Sequence, residues 1–454
     1  MKNLQNTNNQ DGSKFEIFKE LFSQGLELLP QVNEVYELEL AYLESQILSK
    51  DELIKNGAFF SMVDNITTRH FLMCKGEALK VANYSSSRLK SFFQNNQFKT
   101  GYATHGLFPY RGKFHPQMIK ALINIIKVKK GDTILDPMMG SGTVLIEAKL
   151  MGINSIGIDA SPFCQFITQA KIDALSVDLN RIKRIPPANI YDYFTNKYGN
   201  PECGSKTRKN RTNLDLSAFN KAQNADEATI VDMELRELMS DKKLYNFLLL
   251  SFLDSAGYSQ RSKRKKPFDQ FKSIFERYIF VSEKIQNVLA GFESELGSAK
   301  SLVGDARALE IPSNSMDGII FSPPYSFAID YIDNDSFHLS KLNVNIEELK
   351  DKMVGLRGKS KIEKYHLYLE DMKKIIRECY RVLKDDKYCT IVVGTNRNQI
   401  ANILKKDPEE VKGIDEVLID LCIETGFKWE KRIERQITGM ANTMRTESIV
   451  MLIK

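Results

Sequence analysis

Histidine and cysteine are both scarce in this chain, with five and six among 454 residues. The cysteines (Cys74, Cys164, Cys203, Cys379, Cys389 and Cys422) are scattered and never form a Cys-x-x-Cys pair. That spacing argues against a zinc site and suits reduced thiols in a cytoplasmic protein. Long apolar runs are missing too, and none reaches the roughly 20 residues of a membrane span. The Asn- and Gln-rich segment Met1 to Gly12 has no apolar core, so it reads as a disordered lead-in rather than a secretory signal. Nor is there a strong charge of one sign. A net charge of +6 and a pI near 8.7 permit a polyanionic partner without requiring one.

What is present divides the chain into three parts. Residues 1–100 read as mostly helical, with Ile17, Leu21 and Leu28 on one face and Val35, Leu38 and Tyr42 repeating the spacing. Pro30 is expected to split that stretch into two helices. No catalytic motif falls there, which suggests a packing or oligomerisation role. From Gly101 the pattern changes. Met118 to Val128 predicts an amphipathic helix, Thr133-Ile134-Leu135 a strand ending in Asp136, and Val144 to Met151 a helix. Ser155 to Ile158 predicts a second strand ending in Asp159. Strand, turn, helix, strand is the start of a doubly wound α/β sheet. The alternation stops over 177–297, which reads as a mostly helical insertion, with helices over 227–253 and 268–296 and a loop over 201–213. It resumes with strands at Ser301 to Val303, Asp317 to Phe321 and Tyr388 to Val393. Two last strands, from Phe427 and from Glu447, predict an antiparallel hairpin. The catalytic domain is thus expected over 101–176 and 298–454.

The turn after the first strand is Asp136-Pro137-Met138-Met139-Gly140-Ser141-Gly142-Thr143. Glycine lets the backbone approach a ligand, and the following helix offers free N–H groups. On its own this is a weak signal, being neither a Walker loop nor G-x-G-x-x-G. Asp159 ends the next strand about 20 positions on, where a ribose is held in nucleotide-binding sheets. Asp305, in Gly304-Asp305-Ala306, follows a third strand and can accept from an adenine amine. Acids at three strand ends suit a ligand with ammonium, ribose and adenine donors, as S-adenosylmethionine has.

Ser322-Pro323-Pro324-Tyr325 follows an apolar strand directly. Two prolines stiffen the backbone and remove N–H donors, leaving carbonyls to accept. Such a corner can present the Ser322 hydroxyl and the Pro323 carbonyl to one substrate –NH2 group, with Tyr325 stacking on the base. A sulfonium methyl donor is already electrophilic, so alignment matters more than a strong base.

In these pieces the chain resembles the bacterial and archaeal amino-methyltransferases of DNA, in their cytosine-N4 branch. The matching residues are Thr104-His105-Gly106 through Tyr110, Lys113-Phe114-His115-Pro116-Gln117, the turn from Asp136, Gly157-Ile158-Asp159, Gly304-Asp305-Ala306 and Ser322 to Tyr325. The likeness covers roughly residues 101–175 and 302–454. It implies a class I methyltransferase, Rossmann-like fold. It further implies S-adenosylmethionine held by His115, Pro116, Asp136, Gly140, Gly142, Thr143, Asp159, Asp305 and Ala306, with catalysis by Ser322, Pro323, Pro324 and Tyr325. The substrate implied is duplex DNA, its base flipped out of the stack. The setting implied is restriction–modification, with a cognate endonuclease acting separately. In that family a leading Ser is typical of cytosine N4, and Asp or Asn of adenine N6. One departure is Met138-Met139, where the family usually has Phe and a small or variable residue.

For DNA contact the basic stretches are Lys206 to Arg211, Arg261 to Lys266 (with Arg261, Lys263 and Arg264) and Arg357 to Lys361 (with Arg357, Lys359 and Lys361). The last is favoured because it follows the catalytic corner closely, and the insertion is favoured for base readout. Adenine-N6 methylation of DNA and guanine-N2 methylation of RNA remain the alternative activities. A non-enzymatic DNA-binding subunit is a third reading, disfavoured because the acids and the corner are all intact.

Overall fold

The computed structural model describes residues 20–75, 100–110, 112–199, 225–262, 264–324, 331–436 and 446–454. The lead-in to Gly12, Ile17, the loop over 201–213, Lys206 to Arg211, Lys263 and Tyr325 lie outside them.

The chain opens on a small antiparallel sheet, β1 (Leu26–Leu28), β2 (Phe60–Val63) and β3 (Ile66–Thr67). Three helices accompany it: α1 (Val35–Ile47), α2 (Lys50–Asn56) and α3 (Arg69–Cys74). This corrects the expectation of two helices split at Pro30. Leu28 sits in β1 opposite Phe60, and Leu21 is half exposed. Three alternating residues fit either period, and only the distant partner strand decides between them.

The body is built on α4 (Pro116–Ile125), β4 (Thr133–Asp136), α5 (Thr143–Leu150), β5 (Asn154–Asp159) and α6 (Pro162–Asp173). The insertion follows with α7 (Leu179–Lys183), α8 (Pro187–Tyr198), α9 (Ala225–Ser240), α10 (Lys242–Arg261) and α11 (Pro267–Leu289). The sheet resumes with β6 (Ala299–Val303) and β7 (Gly318–Phe321). Next come α12 (Tyr331–Lys341), α13 (Ile346–Lys352), α14 (Lys361–Val382), β8 (Tyr388–Gly394), α15 (Arg397–Leu404), α16 (Ile414–Thr425), β9 (Lys428–Gln436) and β10 (Thr446–Ile453).

The seven strands run in the order β6-β5-β4-β7-β8-β10-β9. Six run in one direction, and β10 enters antiparallel between β8 and β9. That is the class I methyltransferase sheet with its terminal hairpin. The strand order reverses beside β4, so the crevice at the carboxyl ends of β4, β5 and β7 is where a ligand belongs.

Two apolar layers cover the sheet. One holds Leu135, Phe321, Tyr368, Ile375 and Leu418, from the sheet, α14 and α16. The other joins the N-terminal region, α4, α5, α6 and the insertion helices in one continuous core. The helix α4 is not amphipathic in its setting, because all ten of its residues are buried. The N-terminal region covers the face expected to meet solvent. There Gln117 donates to the Ala58 carbonyl at 2.9 Å and Asn124 to Glu44 Oε1 at 2.6 Å. Burying those polar groups is tolerable only because each is paired.

Candidate active site

The strand β4 delivers Asp136 to the head of the crevice, and the chain then turns. Met138 N–H donates to Asp136 Oδ1 at 3.1 Å, and Met139 N–H reaches across to the Ile158 carbonyl of β5 at 2.9 Å. Gly140 and Gly142 take positive φ values of 50° and 77°. A side chain at Gly142 would place its Cβ 2.4 Å from Thr168 Cγ2, so the turn needs glycine there for conformation and for space. Asp159 braces the same turn. Its Oδ2 accepts from Gly140 N–H at 2.9 Å and its Oδ1 from Ser161 N–H at 2.8 Å. Burial pushes both carboxyls up, Asp136 well above its ordinary range, while the backbone donors pull the other way.

One cavity gathers the pieces. It is lined by Tyr110, Gly112 to Phe114, Met138 to Ser141, Thr143, Asp159, Ser322 to Pro324 and Met353. The glycine turn and the Ser-Pro-Pro corner, 180 positions apart in sequence, therefore face the same space. Within its wall the Ser141 hydroxyl is buried and unpaired. Buried hydroxyls are rarely left so, and this one is suited to a ligand's polar group. Asp159 offers acceptor lone pairs, while Met138, Met139 and Phe114 supply an apolar surface. A ligand with polar donors at one end and apolar parts beside them fits that lining.

Not every expected residue meets there. Asp136 is fully buried beneath the turn, with Oδ2 unpaired, and does not line the cavity. His115 and Pro116 start α4 without reaching the wall. Asp305 lies in an adjoining recess with Gly304, Asn343 and Lys352. Its carboxylate is gripped by the Arg307 guanidinium at 2.8–3.0 Å. Burial raises the Asp305 carboxyl, but Arg307 outweighs this and holds it below its usual range. Ala306 is buried in the apolar layer below.

Tyr110 and Met353 were absent from the expected set. Tyr110 lies inside the quoted block before α4, whereas nothing local marks Met353. Lys113 also lines the cavity, yet its ammonium is spent on the Thr100 and His105 carbonyls at 3.0 and 3.1 Å.

Among the basic residues, Arg357 is not a free phosphate ligand. Its guanidinium pairs with Asp371, which is 1% exposed and also receives Arg307 at 3.2 Å. Lys359 and Lys361 are exposed, as are Arg261 and Arg264. Among the described residues no helix is long and apolar enough to cross a membrane.

A family model described as DNA methylase matches residues 33–170 and 316–444. Its gap spans the insertion, and its start takes in most of the N-terminal region, which the sequence resemblance had left out. A model described as an RMKL-like methyltransferase domain matches residues 107–241. The chain is 26% identical over 317 residues to the Type II methyltransferase M.BsoBI of Geobacillus stearothermophilus, covering 59% of this chain and 60% of that protein. It is 27% identical over 318 residues to the Type II methyltransferase M.MjaII of Methanocaldococcus jannaschii, covering 67% and 55%. The matched region therefore spans little more than half the length of these relatives. A short stretch of 52 residues, 12% of this chain and 16% of the relative, is 46% identical to the tRNA (guanine(10)-N2)-dimethyltransferase of Methanothermobacter thermautotrophicus.

Proposed function

The chain belongs to the DNA methylase family, whose model spans more than half of it, and from that premise we propose that it methylates the N4 amine of cytosine in duplex DNA. The methyl donor is S-adenosylmethionine. The observation that carries the reading is the shared cavity, in which Ser322 and the two prolines face the glycine turn and Asp159.

When bound, the donor supplies an electrophilic methyl group on a sulfonium. The chain's own task is to hold it and to orient the amine. Asp159 and Ser141 are placed to receive polar groups of the cofactor, and Met138, Met139 and Phe114 its apolar parts. Asp136 acts from beneath the wall by fixing the turn through Met138 N–H. Ser322 and the Pro323 carbonyl accept from the amine, turning its lone pair toward the methyl group. A proline has no N–H, so neither Pro323 nor Pro324 competes by donating from its backbone. Asp305 and Arg307 hold the neighbouring recess for the adenine end. Lys359, Lys361, Arg261 and Arg264 hold phosphates, in a sequence-blind and salt-dependent way. Ser at position 322, rather than Asp or Asn, favours cytosine over adenine. The role is modification in a restriction–modification pair, protecting sites from a separate endonuclease.

DNA treated with the enzyme and labelled donor is digested to nucleosides and resolved by mass spectrometry. N4-methylcytosine as the labelled product is expected. N6-methyladenine alone overturns the cytosine assignment, and label found in tRNA but not in DNA overturns the substrate class.

A further inference from the structure

One face of α6 holds the glycine turn. Cys164, Thr168 and Lys171 follow one another at spacings of four and three, so they share a side of the helix. The Cys164 thiol meets the Tyr110 hydroxyl at 3.2 Å. The Thr168 hydroxyl donates to the Gly140 carbonyl at 3.1 Å, and Lys171 Nζ to the Ser141 carbonyl at 3.5 Å. Tyr110, Gly140 and Ser141 all line the cavity of Ser322, whereas Lys171 does not.

These contacts fix how the turn presents itself. In a trans peptide the N–H points opposite to the carbonyl. Holding the Gly140 carbonyl on α6 therefore turns the Ser141 N–H away from that helix. The Ser141 hydroxyl, 3% exposed, has no partner among the described residues. Two positions on, α5 begins with its free N–H groups. Donors gathered in this way suit an anion.

Lys171 sharpens that choice. It is completely buried, yet among the described residues it has no carboxylate partner. Asp254, the acid that bears on it, is held by Arg277 at 2.6 Å and by the Tyr278 hydroxyl at 3.3 Å. The Ser141 carbonyl brings no negative charge, and burying a cation without one is costly. Burial and the nearby Lys113 pull the Lys171 amine well below its ordinary range, against the weaker pull of Asp254 and Cys164. An anion at Ser141 would stabilise its ammonium form. S-adenosylmethionine has one anionic group, its carboxylate.

We propose that Lys171 is a positioning residue for the methyl donor, supplying from beneath Ser141 the positive charge that makes the turn select a ligand bearing a carboxylate. It acts across the Ser141 peptide, without touching the DNA. The proposal rests on S-adenosylmethionine being the donor. A buried lysine that is otherwise a cost to the fold thereby has a use.

The test is calorimetric titration of the full-length wild type, Lys171→Met and Lys171→Gln. The two ligands are S-adenosylmethionine and its decarboxylated form, which keeps the sulfonium, the amine and the nucleoside. Wild type is expected to bind S-adenosylmethionine the more tightly. Each variant is expected to bind it roughly 10- to 100-fold more weakly, the worth of a contact to a charged group. Each should bind the decarboxylated ligand at least as well as wild type does. Thermal stability is expected to hold or rise in Lys171→Met, since an apolar chain of similar length replaces a buried amine. Gln can donate to the Ser141 carbonyl but carries no charge. Rescue of S-adenosylmethionine binding by Gln therefore marks a structural prop and overturns the proposal. So do equal losses for both ligands, and so does a wild type that does not tell the two apart. Failure of the wild type to bind S-adenosylmethionine at all overturns the reading of the cofactor instead, a result distinct from these.

Discussion

The backbone N–H of Phe108 donates to the hydroxyl of Tyr278 at 2.9 Å, joining the loop before α4 to the insertion helix α11 across 170 residues. Phe108 holds a positive φ of 51°, uncommon for a residue with a side chain. Tyr278 is fully buried, and its hydroxyl donates in turn to Asp254 of α10 at 3.3 Å. Two residues beyond Phe108 stands Tyr110, a wall of the cavity that holds Ser322. The insertion thus holds that wall in place.

Tyr278→Phe removes only the hydroxyl and strands a buried N–H. We expect a loss of about 1–3 kcal/mol in stability and a fall in turnover from a displaced Tyr110. Denaturant titration and single-turnover methyl transfer measure the two.

Ser322→Ala should leave cofactor affinity intact and slow methyl transfer roughly 10- to 100-fold, the worth of one positioned hydrogen bond. Asp159→Ala should do more than lose a ligand contact. It releases Gly140 N–H and Ser161 N–H together, so cofactor affinity should collapse with the turn. Calorimetric titration with S-adenosylmethionine separates the pair.

Arg357→Ala should lower stability by about 1–3 kcal/mol, because buried Asp371 loses a charged partner and, among the described residues, keeps Arg307 alone. Lys359→Ala and Lys361→Ala should leave stability unchanged. Each should reduce the salt dependence of DNA binding by roughly one unit of slope. Binding isotherms at several salt concentrations distinguish the two behaviours.

Burial lowers the His105 imidazole to about 4, although Glu147, accepting from its Nε2 at 2.7 Å, works the other way. The unfolded imidazole titrates near 6.5, so between these values the unfolded chain binds more protons. This contribution to stability is complete above pH 6.5 and is lost as pH falls through the window, by about 1.4 kcal/mol per pH unit. His105→Gln should reduce the slope of the stability–pH curve between pH 4 and 6.5 by this one group's share, while buried His115 and His338, lowered in the same direction, keep the remainder, as thermal melts across that range will show.

The parts of this fold that could be read from sequence are those governed by local rules. The strands ending at Asp136, Asp159 and Ser322 are short apolar runs stopped by a turn, and the structure places each where expected. The glycine turn was legible because its constraints lie within eight residues. What escaped depends on distant partners. The β1 segment needed β2 to define it. The solvent face of α4 disappeared beneath the N-terminal region. Arg357 looked like a phosphate ligand until Asp371 claimed it. Met353, the residue that caps the end of α13, joins the cavity through tertiary packing alone. Of the expected site residues, Gly140, Thr143, Asp159, Ser322, Pro323 and Pro324 line one cavity, while Asp136 lies buried beneath the turn and Asp305 lines another recess.

The continuous core between the insertion and the catalytic body limits how such a protein can diversify. Phe163, Tyr278, Phe247 and Ile167 belong to one packed layer. An insertion rooted this deeply is not an interchangeable cassette. Replacing it with a foreign segment would open the protein's own interior and loosen Phe108 with it. Lineages carrying this architecture are therefore expected to vary this segment residue by residue, and seldom to exchange it whole.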